Sequence, residues 1–260
     1  MSEEIKNVHD FEYSLICEYF SYMDRQGPGS SAVTKLAMQF VPGIESFSEI
    51  ADIGCGTGGQ TLTLAQGTTG KITAIDLYPT FIEMLNERMA SHGFDSRVKG
   101  EVCSMEQLPF EASSLDLIWC EGAIYNLGFE RGLREWHPFL KTGGYIAISE
   151  SSWFSDVRPQ EIHDFWMNAY TEIDTIPNQI STVYRAGYLP VGFFTFPESC
   201  WIDEYFELKK HAEAGMLAKY ADDKIVHDLI VSERFEETLY RKYKAYYGYS
   251  FFIAQKSEVL

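Results

Sequence analysis

The stretch Glu49-Ile-Ala-Asp-Ile-Gly-Cys-Gly-Thr-Gly-Gly59 leaves this chain little choice of fold. Its apolar half reads as a buried strand, and its glycines demand a sharp turn before a helix begins. Gly54, Gly56 and Gly58 have no Cβ, so the backbone can turn tightly there and a ligand can approach it closely. Asp52 stands just before the turn. A second apolar run, Lys71-Ile-Thr-Ala-Ile-Asp76, closes on an acid about 20 residues further on, the position where open α/β sheets hold a ribose. Together the two runs point to a nucleoside-cofactor site. The glycines alone do not say which one. Read at 54, 56 and 59 they are GxGxxG, the dinucleotide fingerprint; read at 54, 56 and 58 after Asp52 they are DxGxGxG.

From residue 50 onward strands and helices alternate. Strands are expected at 50–53, 72–75, 98–103, 115–120 and 145–149, with helices over 59–67, 79–92 and 130–140. Such alternation means a parallel sheet covered by helices on both faces. Ligands then bind beyond the strands' C-terminal ends, near the switch in strand order. Gly54, Asp76, Ser104, Glu121 and Glu150 each follow or close a strand, so all five are expected around one crevice.

Ahead of this core, apolar residues at helical spacing predict a helix over 10–23, broken by Gln26-Gly-Pro-Gly-Ser30. Ser30 or Ser31 can cap a second helix, 32–40. The first helix either covers a sheet edge or forms a lid, its aromatic face lying around Tyr19 and Tyr22. Beyond Glu150 a helix is expected at 160–170, a strand at 187–196, two helices at 203–220 and 222–246, and a last strand at 249–254. One domain over 1–260 is expected: a helical cap (1–45), a cofactor-binding core (46–200), a helical insertion (202–246) and a final strand (247–256).

Charge narrows the partners. Acidic residues outnumber basic ones 38 to 21, a net charge of -17, which repels nucleic acid and anionic membranes. The five cysteines form no CxxC pair, and reduced thiols in the cytoplasm are the simplest account. The charged opening Met-Ser-Glu-Glu-Ile-Lys precedes no apolar run, so no secretory leader is expected, and no stretch is long and apolar enough for a membrane span.

Two further motifs separate the glycine templates. Met105-Glu-Gln-Leu-Pro-Phe110 follows the third strand, and Leu140-Lys-Thr-Gly-Gly144 precedes the fifth. In that order with Asp52, the glycines and Asp76, the fragment 50–150 resembles the class I S-adenosylmethionine-dependent methyltransferases. It is closest to the small-molecule group that includes the ubiquinone and menaquinone biosynthesis enzymes. The resemblance implies a Rossmann-like, doubly wound α/β sheet of seven strands, mostly parallel with an antiparallel last strand. It implies S-adenosylmethionine as cofactor and S-adenosylhomocysteine as product. Gly54, Gly56 and Gly58 would admit the amino-acid end of the cofactor, and Asp76 would accept both ribose hydroxyls. Leu77 and Met105 would flank the adenine, although plain core packing suits both equally. Family members often carry an acid where this chain has Ser104, so the adenine amino contact would shift to the backbone of Met105 or to Glu106.

Methyl transfer is an in-line displacement that depends on alignment and exclusion of water, with a base needed only where the acceptor must lose a proton. Glu121-Gly-Ala-Ile-Tyr-Asn126 is not the [DN]PP[YF] motif of adenine or glutamine N-methylation. Glu121, Tyr125 and Glu150 are the candidates at the acceptor end, each with a bland alternative as a strand-end acid or a packed tyrosine. His137 reads as a packed or surface residue, and His163, His211 and His227 lie outside the motif core. No His/Cys/Asp group has metal-ligand spacing, so no metal is expected. A small-molecule methyltransferase, monomer or homodimer, is the first reading; a sensor that binds the cofactor without catalysis is the second.

Overall fold

The structure, a computed structural model, describes residues 10–257; the charged opening run lies outside them. Seven strands form the main sheet: β1 (Glu49–Ile53), β2 (Lys71–Asp76), β3 (Val98–Val102), β4 (Leu115–Glu121), β5 (Leu140–Trp153), then β7 (Tyr188–Thr195) and β8 (Tyr247–Lys256). Their spatial order is β3-β2-β1-β4-β5-β8-β7, with a two-residue strand β6 (Asp174–Thr175) alongside the end of β5. Strand order reverses between β1 and β4, which opens the crevice. Only β8 runs antiparallel, to both β5 and β7. The expected antiparallel last strand is therefore present, and it lies inside the sheet rather than at its edge.

Both faces of the sheet are buried, as a parallel sheet flanked by helices requires. Along β4, Leu117 and Trp119 point to one core while Ile118 and Cys120 point to the other. The first core is roofed by α1 (Tyr13–Ser21), α2 (Ser31–Met38), α3 (Gly59–Gly67), α4 (Pro79–Ser91) and the late helices. The second lies under α5 (Phe129–Trp136) and α7 (Ile176–Arg185), while α6 (Gln160–Ala169) packs Ile162 and Trp166 into the first. Caps follow local chemistry: Ser30 Oγ accepts the Val33 N–H at 3.3 Å to start α2.

Three expectations need correction. The helix expected to reach 140 ends at Trp136 and passes into a 3-10 turn, His137–Phe139, because Pro138 has no N–H to continue the ladder. The helix expected from 203 opens instead as a π-helical turn (Ile202–Phe206), preceded by α8 (Ser199–Trp201), before α9 (Glu207–Lys219) and α10 (Lys224–Tyr243). The strand expected at 145–149 is far longer. Gly143 and Gly144 make an irregularity within β5 rather than its start, and β8 pairs with it residue by residue from Tyr145 to Trp153. Glu150 is consequently not at a strand tip; it sits opposite Ser250 in the ladder, 1 % exposed. Among the described residues, no helix is long and apolar enough to cross a membrane.

Candidate functional site

The glycine turn folds back on the end of β2. The Gly54 and Cys55 N–H groups both donate to the Ile75 carbonyl, at 2.8 and 3.0 Å. Gly54, Gly56 and Gly58 have φ of 72°, 53° and 88°, the left-handed region that costs other residues about 1–2 kcal/mol. Space matters as much as angle. A Cβ on Gly54 would stand 2.3 Å from the Ala123 Cβ, and one on Gly56 would stand 1.9 Å from Gln26 Oε1. The Gly56 N–H donates to Asp76 Oδ2 at 2.9 Å and the Tyr78 N–H donates to Asp76 Oδ1 at 3.0 Å. Asp76 thus ties the turn to the second strand. Burial pushes its carboxyl up, and the backbone N–H groups of Tyr78, Gly56 and Leu77 pull it back down.

The segment after α1 lies directly on this turn. Thr57 N–H donates to Gln26 Oε1 and Gln26 Nε2 donates to Thr57 Oγ1, both at 3.1 Å. Arg25 reaches Glu121 at 2.7 Å, and the other Glu121 oxygen accepts from Thr34 Oγ1 at 2.7 Å and Trp119 Nε1 at 2.9 Å. Glu121 is therefore an anchor for Arg25, with no carboxylate oxygen left without a partner. Sequence reading missed Gln26, Arg25 and Thr57, because nothing local marks a residue whose partner is 31 or 96 positions away.

A cleft of about 390 Å³ opens between turn, segment and α1. That volume is within the roughly 300–1,000 Å³ of small-molecule sites. Its wall brings together Gly54, Gly56, Asp76, Leu77, Ser104, Met105, Glu106, Glu121 and Tyr125. From α1 it takes Tyr13, Ile16, Cys17 and Phe20, one helical face. The aromatic face expected around Tyr19 and Tyr22 points elsewhere: Tyr19 is buried in the core, and Tyr22 packs over Gly215 of α9.

Three expected site residues are off the wall. Asp52 is fully buried beneath the turn, where Thr61 Oγ1 donates to it at 2.6 Å, and desolvation pushes its carboxyl up to about 7. Gly58 caps α3 against Leu85. Glu150 is buried within β5 and does not line the cleft. Its Oε1 accepts the Ser151 N–H and hydroxyl at 2.7 and 2.8 Å, and desolvation pushes it up to about 8. At the end of the cleft lined by Met105, Ser104 Oγ accepts the Glu106 N–H at 3.2 Å, while the Glu106 carboxylate is held by Arg131 at 2.9 Å. None of His137, His163, His211 and His227 lines the cleft; His137 packs edge-on to Tyr188. Among the described residues, no three His, Cys, Asp or Glu side chains stand together as a metal would need.

Residues 50–144 match the family described as "Methyltransferase domain". The chain is 26% identical over 144 residues to "Methyltransferase GfsG" of Streptomyces halstedii, spanning 54% of this chain and 52% of that relative. It is 28% identical over 151 residues to "Ubiquinone/menaquinone biosynthesis C-methyltransferase UbiE" of Geotalea daltonii, spanning 57% of this chain and 63% of that one. The match thus spans between half and two thirds of these relatives' own lengths. Among solved structures, the S-adenosylmethionine-dependent methyltransferase of Geobacter sulfurreducens in complex with S-adenosyl-L-homocysteine superposes with a TM-score of 0.79 at 20% identity. That superposition covers 94% of this chain and 98% of the other. Residues 50–144 thus resemble a methyltransferase domain, and the chain shares its fold with the S-adenosylmethionine-dependent methyltransferase of Geobacter sulfurreducens.

Proposed function

We propose that the chain transfers the methyl group of S-adenosylmethionine to a small-molecule acceptor and releases S-adenosylhomocysteine. The observation that carries this reading is the Gly56–Asp76 junction at the wall of the cleft. The Asp76 oxygens accept the Gly56 and Tyr78 N–H groups, with the Leu77 N–H also turned toward the carboxylate, which leaves acceptor capacity for the ribose. Gly54 and Gly56 present bare backbone for the amino-acid end of the cofactor, and Gly58 with Asp52 and Thr61 holds the turn from beneath. Leu77 and Met105 are assigned to the faces of the adenine. The adenine amino contact goes to Ser104 or the Met105 backbone, since Glu106 is drawn to Arg131.

When bound, the cofactor supplies an electrophilic sulfonium methyl carbon. The chain's residues align and enclose. Gln26 and Thr57 hold the covering segment down, Glu121 fixes Arg25 beside the acceptor end, and Tyr125 narrows the cleft there. Proximity of this kind is worth up to about 7–11 kcal/mol, so no base need act directly on the cofactor. The division into cap, core, insertion and final strand serves one site, and the acidic composition supports a small-molecule acceptor of the cytoplasm rather than nucleic acid.

Calorimetry against S-adenosylhomocysteine and NAD tests the site: binding of the first and not the second is expected. Incubation with methyl-labelled S-adenosylmethionine and a metabolite extract then tests the activity. Binding without any labelled product overturns methyl transfer in favour of a sensor.

A further inference from the structure

Among the described residues of the cleft wall, Arg25 is the one basic side chain, and its charge is already met. One guanidinium nitrogen donates to Glu121 Oε2 at 2.7 Å and another to Thr34 Oγ1 at 3.0 Å. The ion pair is sequestered, its two side chains 12 % and 4 % exposed. Against this single cation the wall sets three carboxylates, Asp76, Glu106 and Glu121. Glu121 is spent on Arg25 and Glu106 on Arg131, so Asp76 leaves the balance of the wall negative.

The layer beside Tyr125 has the same sign. Burial pushes the Tyr125 hydroxyl up, and Glu150, Glu236 and Glu233 add to that rise from outside the wall. Burial raises the Tyr249 hydroxyl too, with Tyr125, Glu150 and Glu236 adding to it. Tyr249 lies against the wall, since a Cβ on Gly122 would stand 3.2 Å from its ring. Lys209, the base packed among these acids, is buried between Glu233 at 2.6 Å and Glu236 at 2.7 Å. It has no charge to lend to a ligand. What the wall does offer is ring and alkyl surface, from Tyr13, Ile16 and Phe20 of α1 and from Tyr125 after β4. An anion entering such a site loses its water and gains no counter-ion. A neutral or cationic group instead meets polarisable rings in a negative field.

We propose, resting on the methyl-transfer reading above, that the methyl acceptor is an uncharged or amine-bearing molecule that carries no phosphate, sulfate or carboxylate. The cofactor's own carboxylate brings an ammonium with it and is assigned to the glycine turn, so Arg25 is not freed for a second anion. The Arg25–Glu121 pair is then a specificity device. It fills the one place in the wall where an acidic acceptor could find a cation, and it fills it from within the chain.

The test sorts the product by charge. The chain is incubated with methyl-labelled S-adenosylmethionine and a metabolite extract, and the products are resolved from unreacted cofactor by liquid chromatography. They are then passed over an anion exchanger at neutral pH. Label is expected in the unretained fraction, in about tenfold excess or more over the retained one. Binding gives a readout without turnover. At ionic strength matched with chloride, millimolar pyrophosphate is expected to leave the melting temperature of the S-adenosylhomocysteine complex unchanged, since a ligand raises it only by binding the folded state. Label carried mainly by products that the exchanger retains, or a melting temperature that rises with pyrophosphate, overturns the proposal. Failure to bind S-adenosylhomocysteine, or binding with label in neither fraction, overturns instead the reading beneath it.

Discussion

Gln26 and Thr57 exchange two hydrogen bonds, each 3.1 Å long, across 31 residues of sequence. Thr57 Oγ1 also donates toward the Met23 and Asp24 carbonyls at 3.1 and 3.0 Å. The segment covering the cleft is therefore fastened to the glycine turn itself. Arg25, Gln26, Gly27 and Pro28 of that segment line the cleft.

Gln26→Ala removes both bonds, along with those from Gln26 Nε2 to the Phe20 and Met23 carbonyls. At about 1 kcal/mol net for each bond to Thr57, stability is expected to fall by at least roughly 1–2 kcal/mol in urea unfolding. Dissociation of S-adenosylhomocysteine, followed by stopped flow, should accelerate about tenfold, as an equal loss of enclosure predicts. An unchanged dissociation rate means that the segment is not the cover.

Asp76 joins Gly56 and Tyr78, and in the proposed complex also the ribose. Charged hydrogen bonds contribute about 1.5–3 kcal/mol, so Asp76→Ala should weaken S-adenosylhomocysteine tenfold or more by calorimetry. Unchanged affinity would remove Asp76 from the cofactor site.

The glycines separate strain from space. Gly93 has φ of 76° and open surroundings, so Gly93→Ala should cost only the strain, about 1–2 kcal/mol. Gly54→Ala adds a collision with Ala123 and should cost about 2–5 kcal/mol by thermal unfolding. Equal costs at the two positions would show that the Gly54–Ala123 contact relaxes freely.

Asp52 and Glu150 give stability a direction with pH. Both carboxyls are raised in the folded chain, to about 7 and about 8 from 3.8 and 4.5. The folded state then binds more protons, so their stabilising share is full below about 4 and is lost as pH rises through about 7 to 8. The loss is on the order of 1.4 kcal/mol per pH unit for each group, an upper bound. Subtracting the unfolding free energies of Glu150→Gln and Asp52→Asn from those of the unaltered chain, measured from pH 4.5 to 8.5, should isolate each slope. A flat difference for either variant would mean that its carboxyl titrates normally.

The run from Glu49 to Gly59, the acid at Asp76 and the strand-helix alternation could be read from sequence, because each depends on nearby residues: side-chain periodicity, missing Cβ atoms and a short spacing. From these came the strand-helix core of the sheet and the crevice beyond it, while the antiparallel last strand and the adenine-side residues of the cleft wall were what the family resemblance implied. The tertiary structure alone decided the rest. Glu150 is buried because β8, some 100 positions later, extends β5 past it and Ser250 faces it. Glu121 is an anchor because Arg25 folds across to it. Gln26, inside what reads as a simple helix break, lines the cleft because Thr57 stands beneath it. Local chemistry determines which backbone shapes are possible at a position, whereas the partners of a buried polar group come from wherever the fold brings the chain, and no short window of sequence contains them.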